Sequence, residues 1–157
     1  MEKIGKENQQ ILLDLAAINQ DRVDGYRTAI GILEKDSDAE LIARFEEYMQ
    51  QAQQFKSTLI SLALHAEAER PNNQESGRMP WVIVAGNEDG ACPSRASLLD
   101  ICIQEELECK KVYQLSLKNL EQVDESVTHI LKSQSEAQET LLRELQAIQN
   151  PTSPEES

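Results

Sequence analysis

Cys102, Glu106 and Cys109 stand four and three residues apart, a spacing that puts one carboxylate between two thiols on a single helical face. Two chemistries are open to such a set. Thiolates and a carboxylate can hold a soft mononuclear metal or form a redox site, completed here by Asn19 or Gln134. Alternatively, Glu106 is hydrogen-bonded to Tyr26, Asn19 or an Arg, and both cysteines fill space as small core residues. Structural thiols are the commoner case. The expectation is therefore no metal and no cofactor, with Glu106, Cys102 and Cys109 as the residual metal set.

The remaining reactive residues support no other chemistry. His65 and His129 have no carboxylate or thiol partner at useful spacing and read as surface residues. There is no G-x-S-x-G elbow, no Gly-rich phosphate loop and no cysteine with a histidine beside it in sequence. Cys92 is a third thiol of undetermined reactivity. Trp81-Val82-Ile83-Val84 is an apolar stretch that packs as a lid or offers a patch to a partner. An enzyme is the weaker reading.

The elements that must position these residues follow from apolar periodicity. A first helix over about 6–34 carries Leu12, Leu15/Ala16, Asn19, Val23, Tyr26, Ile30 and Leu33 on one face. Gly25 lies in its middle, costs about 1 kcal/mol there relative to Ala, and is expected to permit a close helix approach. A second helix over about 38–69 carries Leu41, Phe45, Tyr48, Ala52, Phe55, Leu59, Leu62 and Ala66, after N-cap candidates at 36–38. Residues 70–96, punctuated by Pro71, Gly77, Pro80, Gly86, Gly90 and Pro93, form a long crossover. A third helix over about 97–120, starting near Ser94 or Ser97, carries Leu99, Cys102, Glu106, Cys109, Tyr113, Leu117 and Leu120. A fourth over about 124–149, with Asp124 as N-cap, carries Val127, Ile130/Leu131, Gln134, Ala137/Gln138, Leu141, Leu145 and Ile148. Connections that are short, long and short make residues 1–150 one all-α, antiparallel, ferritin-like four-helix bundle with its crossover between helices two and three. Residues 151–157 read as a disordered tail.

The bulk composition narrows the partners. A net charge of −13 with no Lys/Arg cluster beyond Lys110-Lys111 repels phosphate backbones and anionic lipid, so neither nucleic acid nor membrane is expected. Three cysteines without a C-x-x-C pair make no disulfide framework and no zinc ribbon. No apolar signal-peptide core and no run of membrane-spanning length is present, and the cytoplasm is the default location. Ile11, Ile18, Ile42, Met49 and Ile60 widen the apolar faces of helices one and two, which points to a homodimer.

Asn19-Gln20-Asp21-Arg22-Val23-Asp24-Gly25-Tyr26 resembles the N-x-D-R-[IV]-[ED]-G-Y signature of helix one in a bacterial family of ferritin-like four-helix-bundle proteins of unknown function. Gln50-Gln51-Ala52-Gln53-Gln54-Phe55-Lys56-Ser57 is similar to that family's Q-Q-x-x-Q-F-K-S, and Cys102, Glu106 and Tyr113 match its C-x-x-x-E and Tyr spacing. The resemblance spans about residues 10–149 and implies a link to bacterial stress physiology. The chain departs from it in a crossover broken by Pro80, Gly86, Gly90 and Pro93, and in Leu142, where relatives tend to carry a His. A ferritin-like di-iron centre needs a Glu from two helices and Glu-x-x-His from the other two. No E-x-x-H occurs here; the corresponding positions are Asn19, Ala52, Phe55, Gln134 and Leu141, and Glu106 alone keeps a ligand type.

The expected function is protein association without a di-iron site, through an unknown protein partner. The alternatives are a metal-binding or oxidoreductase protein built on Glu106, and a small-molecule binder.

Overall fold

The computed structural model describes residues 6–64, 81, 94–120, 123 and 125–150. Four α-helices account for nearly all of them, and no strand occurs among the described residues. They are α1 (Lys6–Ile32), α2 (Ala39–Leu64), α3 (Arg95–Asn119) and α4 (Glu125–Gln149). α3 starts where a serine can cap it: Ser94 has extended backbone, and its Oγ accepts from the Ser97 N–H at 3.1 Å. Between α1 and α2 the Asp38 carboxylate accepts from the Glu34 N–H at 3.0 Å and faces Arg95 at 3.4 Å, tying that turn to the start of α3. Residues 94–96, expected in the crossover, are the cap and first turn of α3; the expected cap at Asp124, the rest of the crossover other than Trp81, the second helix beyond Leu64 and the tail fall outside the described residues.

α1 packs chiefly on α2, and α3 on α4; α1 also meets α3 and α2 meets α4, so α1/α4 and α2/α3 stand across diagonals. Side-chain pairings give the directions. Gln9 bonds to the Ala63 carbonyl and Arg22 to Gln51, so α1 and α2 run oppositely. Tyr113 with Gln134 and Asp100 with Gln149 do the same for α3 and α4. Asn19 with Tyr113 and Arg22 with Glu106 oppose α1 and α3, and Tyr48 with Glu144 and Phe55 with Gln134 oppose α2 and α4. Leu64 and Arg95 therefore lie at opposite ends of the bundle, since Gln9 neighbours the first end and Asp38 the second.

The inward faces follow the apolar period with a few shifts. Ala29 is buried where Ile30 is only half-buried, Ala63 is buried where Leu62 is half-buried, and Phe55 is half-buried in place of core. Ile18 is buried, and Ile11, Ile42, Met49 and Ile60 pack against the core of their own chain. These residues widen the stripes because the bundle uses them, so they are no ground for a dimer. The core is two apolar clusters. One gathers Tyr26, Phe45, Tyr48, Leu99, Leu141 and Leu145 among others. The other gathers Leu12, Leu15, Leu59, Tyr113, Val127 and Leu131. Between them, at mid-length, lies a buried layer of polar side chains.

Gly25 permits a close approach, and the nearest group is an aromatic ring. Trp81 lies so close to α1 that a Cβ at Gly25 would collide with its indole ring. The ring meets Tyr26 edge-on at 4.8 Å between centroids and joins the first cluster.

Candidate functional site

Every helix contributes to the mid-length layer. α1 supplies Asn19, Arg22 and Tyr26, which share a face at steps of three and four. α2 supplies Gln51 and the ring of Phe55, α3 supplies Glu106 and Tyr113, and α4 supplies Gln134 and Gln138. Arg22, Glu106, Asn19 and Gln138 have no solvent exposure.

Glu106 is the centre of the layer. Its Oε2 accepts from Arg22 Nε at 3.1 Å and from the Tyr26 hydroxyl, and its Oε1 accepts from Gln138 Nε2 at 2.9 Å. Gln138 also donates to the Glu106 main-chain carbonyl at 2.7 Å, which fixes α4 against α3. The rest of the Arg22 guanidinium donates to Asn19 Oδ1 at 2.9 Å and to Gln51 Oε1 at 3.0 Å, with the Phe55 ring 5.9 Å from its central carbon. Asn19 donates onward to the Tyr113 hydroxyl at 2.9 Å, Tyr113 donates to Gln134 Oε1 at 2.7 Å, and Gln134 reaches the Phe55 carbonyl at 3.5 Å. Gln138 Oε1 is the buried side-chain atom left without a partner among the described residues.

The charges in this layer balance locally. Burial works to lower the Arg22 pKa, but Glu106, with Cys109, Tyr26 and Tyr113, more than offsets it and raises it overall. A buried carboxylate facing a buried guanidinium needs no metal to neutralise it. Burial first, and then Glu106, pushes the Tyr26 hydroxyl well above the usual tyrosine range. Burial does the same to Tyr113 and to Cys102, and it pushes the Cys109 thiol up to about 12.

Of the residual metal set, the structure turns Cys102, Glu106 and Cys109 all inward, yet they do not form a ligand set. Among the described residues no group of three or more His, Cys, Asp or Glu side chains is placed to hold a metal ion. Both Glu106 oxygens are engaged, and the thiols are held protonated and packed in opposite apolar clusters, Cys102 in the first and Cys109 in the second. Asn19 and Gln134, either of which would complete the site in the metal alternative, join the hydrogen-bonded chain through Tyr113. Ala52 and Leu142 are buried, Phe55 is half-buried, and His129 is exposed. His65 and Cys92 fall outside the described residues.

Sequence reasoning expected Glu106 to bond to Tyr26, Asn19 or an Arg. Tyr26 and Arg22 do so, and Asn19 is linked to it through Arg22. It did not single out Arg22 or Gln51. A usable signal existed: Arg22 lies three residues after Asn19 and four before Tyr26, so any face holding both must hold it too.

Comparison of the chain with family models, with curated proteins and with solved structures yields no match. No helix among the described residues is long and apolar enough to cross a membrane.

Proposed function

We propose that this chain is a non-enzymatic, ferritin-like bundle that acts by protein association, as a homodimer or with another protein, in the cytoplasm and in bacterial stress physiology. The observation that carries the non-enzymatic half is the saturation of Glu106. The position where a ferritin-like bundle needs an open carboxylate is filled by an ion pair with Arg22 and by bonds from Tyr26 and Gln138. Such a layer selects one register of four helices, because any slip strands a buried charge. The stress link is supported only by the resemblance of the 19–26 and 50–57 segments to the bacterial family.

Elemental analysis of protein purified without chelator tests the reading. The expected result is no stoichiometric iron. Two equivalents of iron per chain, lost in Glu106→Gln, would overturn it; that variant keeps the side-chain shape and tests the charge.

A further inference from the structure

We infer that two copies of the chain associate through the outer face of the second half of α2. The inference rests on the proposed role in association and names the surface and the partner.

The face is defined by charge. The chain has 28 acidic residues in 157, and in the other three helices the longest run without one is 109–119, where Lys110, Lys111 and Lys118 would set like charges against each other between two copies. In α2, by contrast, no Asp or Glu occurs from Tyr48 to Leu64, and the single cation there, Lys56, is half-buried and donates to Gln20. The exposed positions of this stretch include Gln50, Gln53, Gln54, Ser57 and Thr58, ending at Leu64, which is 54% exposed.

Two copies that each carry −13 repel wherever acidic surfaces meet. The repulsion is least where neither presents a carboxylate. The chemistry of the face also favours a copy of itself. A charged surface needs the opposite sign in its partner, but a Gln amide or a Ser or Thr hydroxyl both donates and accepts, so a ridge of them complements an identical ridge. A basic or acidic partner would find little to recognise: the nearby cation Arg27 is bridged to Asp24, and Lys56 is held by Gln20.

Shape agrees with charge. A shallow hollow toward α4 is lined by Phe55, Thr58, His129 and Ser133, and another toward α1 by Gln20, Arg27, Lys56 and Ile60. A ridge with hollows beside it is self-complementary about a two-fold axis, because each ridge can lie in the other copy's hollow. Ser57 lines both hollows and keeps the ridge low between them.

Light scattering of the full chain over a wide concentration range tests this, with Gln54→Glu and, as a control on α3, Leu115→Glu. Both positions are exposed, so neither change disturbs the core. The wild type and Leu115→Glu are expected at twice 17.7 kDa, and Gln54→Glu at 17.7 kDa, because each copy then places a carboxylate in the uncharged face that the other must cover. Added salt is expected to strengthen the dimer by screening the repulsion between acidic bodies. A wild type of 17.7 kDa at every concentration overturns self-association. A dimer that Gln54→Glu leaves intact, or one that salt dissociates, overturns this interface while leaving association standing. Stoichiometric iron would overturn the parent reading independently.

Discussion

Arg22 Nε lies 3.1 Å from Glu106 Oε2, and neither side chain has any exposed surface. The two residues come from different helices and sit between two apolar clusters, so neither can turn to water. Taking both ions out of water is costly, and their attraction repays it only because every neighbour also bonds: Tyr26 and Gln138 to the carboxylate, Asn19 and Gln51 to the guanidinium.

The pair therefore predicts a coupled result. Arg22→Met or Glu106→Leu alone strands a buried charge and is expected to cost about 3–5 kcal/mol. The double variant removes both charges and is expected to be more stable than either single one. Urea unfolding followed by circular dichroism gives all three values. Additive losses in the double variant would show that the two residues act separately.

How much of this was legible beforehand depends on what a residue's position reveals. The four helices were legible because Leu12, Leu41, Leu99 and Leu131 recur with their neighbours at helical steps, and because Ser94 is a capping residue; α3 nevertheless starts at Arg95, ahead of 97, and the expected end of the second helix lies outside the described residues. The inward Glu106 was legible from its place on the third stripe. Arg22 was not, since a count of apolar residues treats a cation as outward, and its partner is 84 positions away. Gly25 signalled a close approach, but nothing near it in sequence says that the approaching group is Trp81. The fate of Ile42 and Met49 was equally hidden: a wide apolar stripe looks the same whether its edge meets a neighbouring helix or a second molecule.

Gly25→Ala separates packing from helix propensity. Alanine raises helix propensity by about 1 kcal/mol, but its methyl group occupies the space of the Trp81 indole. Trp81 is the only tryptophan in the chain, so its fluorescence reports this contact alone. The expected outcome is a red-shifted emission with the unfolding midpoint little changed, because the two effects oppose. An unshifted emission maximum would place Trp81 elsewhere.

Cys102 and Cys109 should resist alkylation in the folded protein. They are 0% and 2% exposed, and burial, the largest influence on each, raises both thiols. Peptide mapping by mass spectrometry after iodoacetamide treatment near neutral pH is expected to find both unmodified, and both labelled once denaturant is added. Rapid labelling of Cys109 without denaturant would contradict its burial in the second apolar cluster.

The tyrosines give the pH dependence. All three, Tyr26, Tyr48 and Tyr113, are raised above the usual value of about 10, chiefly by burial, with Glu106 next for Tyr26 and the bond to Glu144 next for Tyr48. Each is neutral when protonated, so the fold favours the protonated form. A raised folded-state pKa contributes stability that is fully present below the unfolded pKa and lost as pH rises through the folded one. Cys109, raised to about 12, adds in the same direction from a lower unfolded value. The protein is therefore expected to lose stability progressively above about pH 9, where unfolded thiols and then phenols begin to ionise. Tyrosinate absorbance should be nearly absent at the pH where free tyrosine is half-ionised and should then appear in one cooperative step, together with loss of the helical circular dichroism signal. A gradual absorbance rise centred on the free-tyrosine value, with the helical signal intact, would show that these hydroxyls are open to solvent and that the layer around Glu106 is not closed.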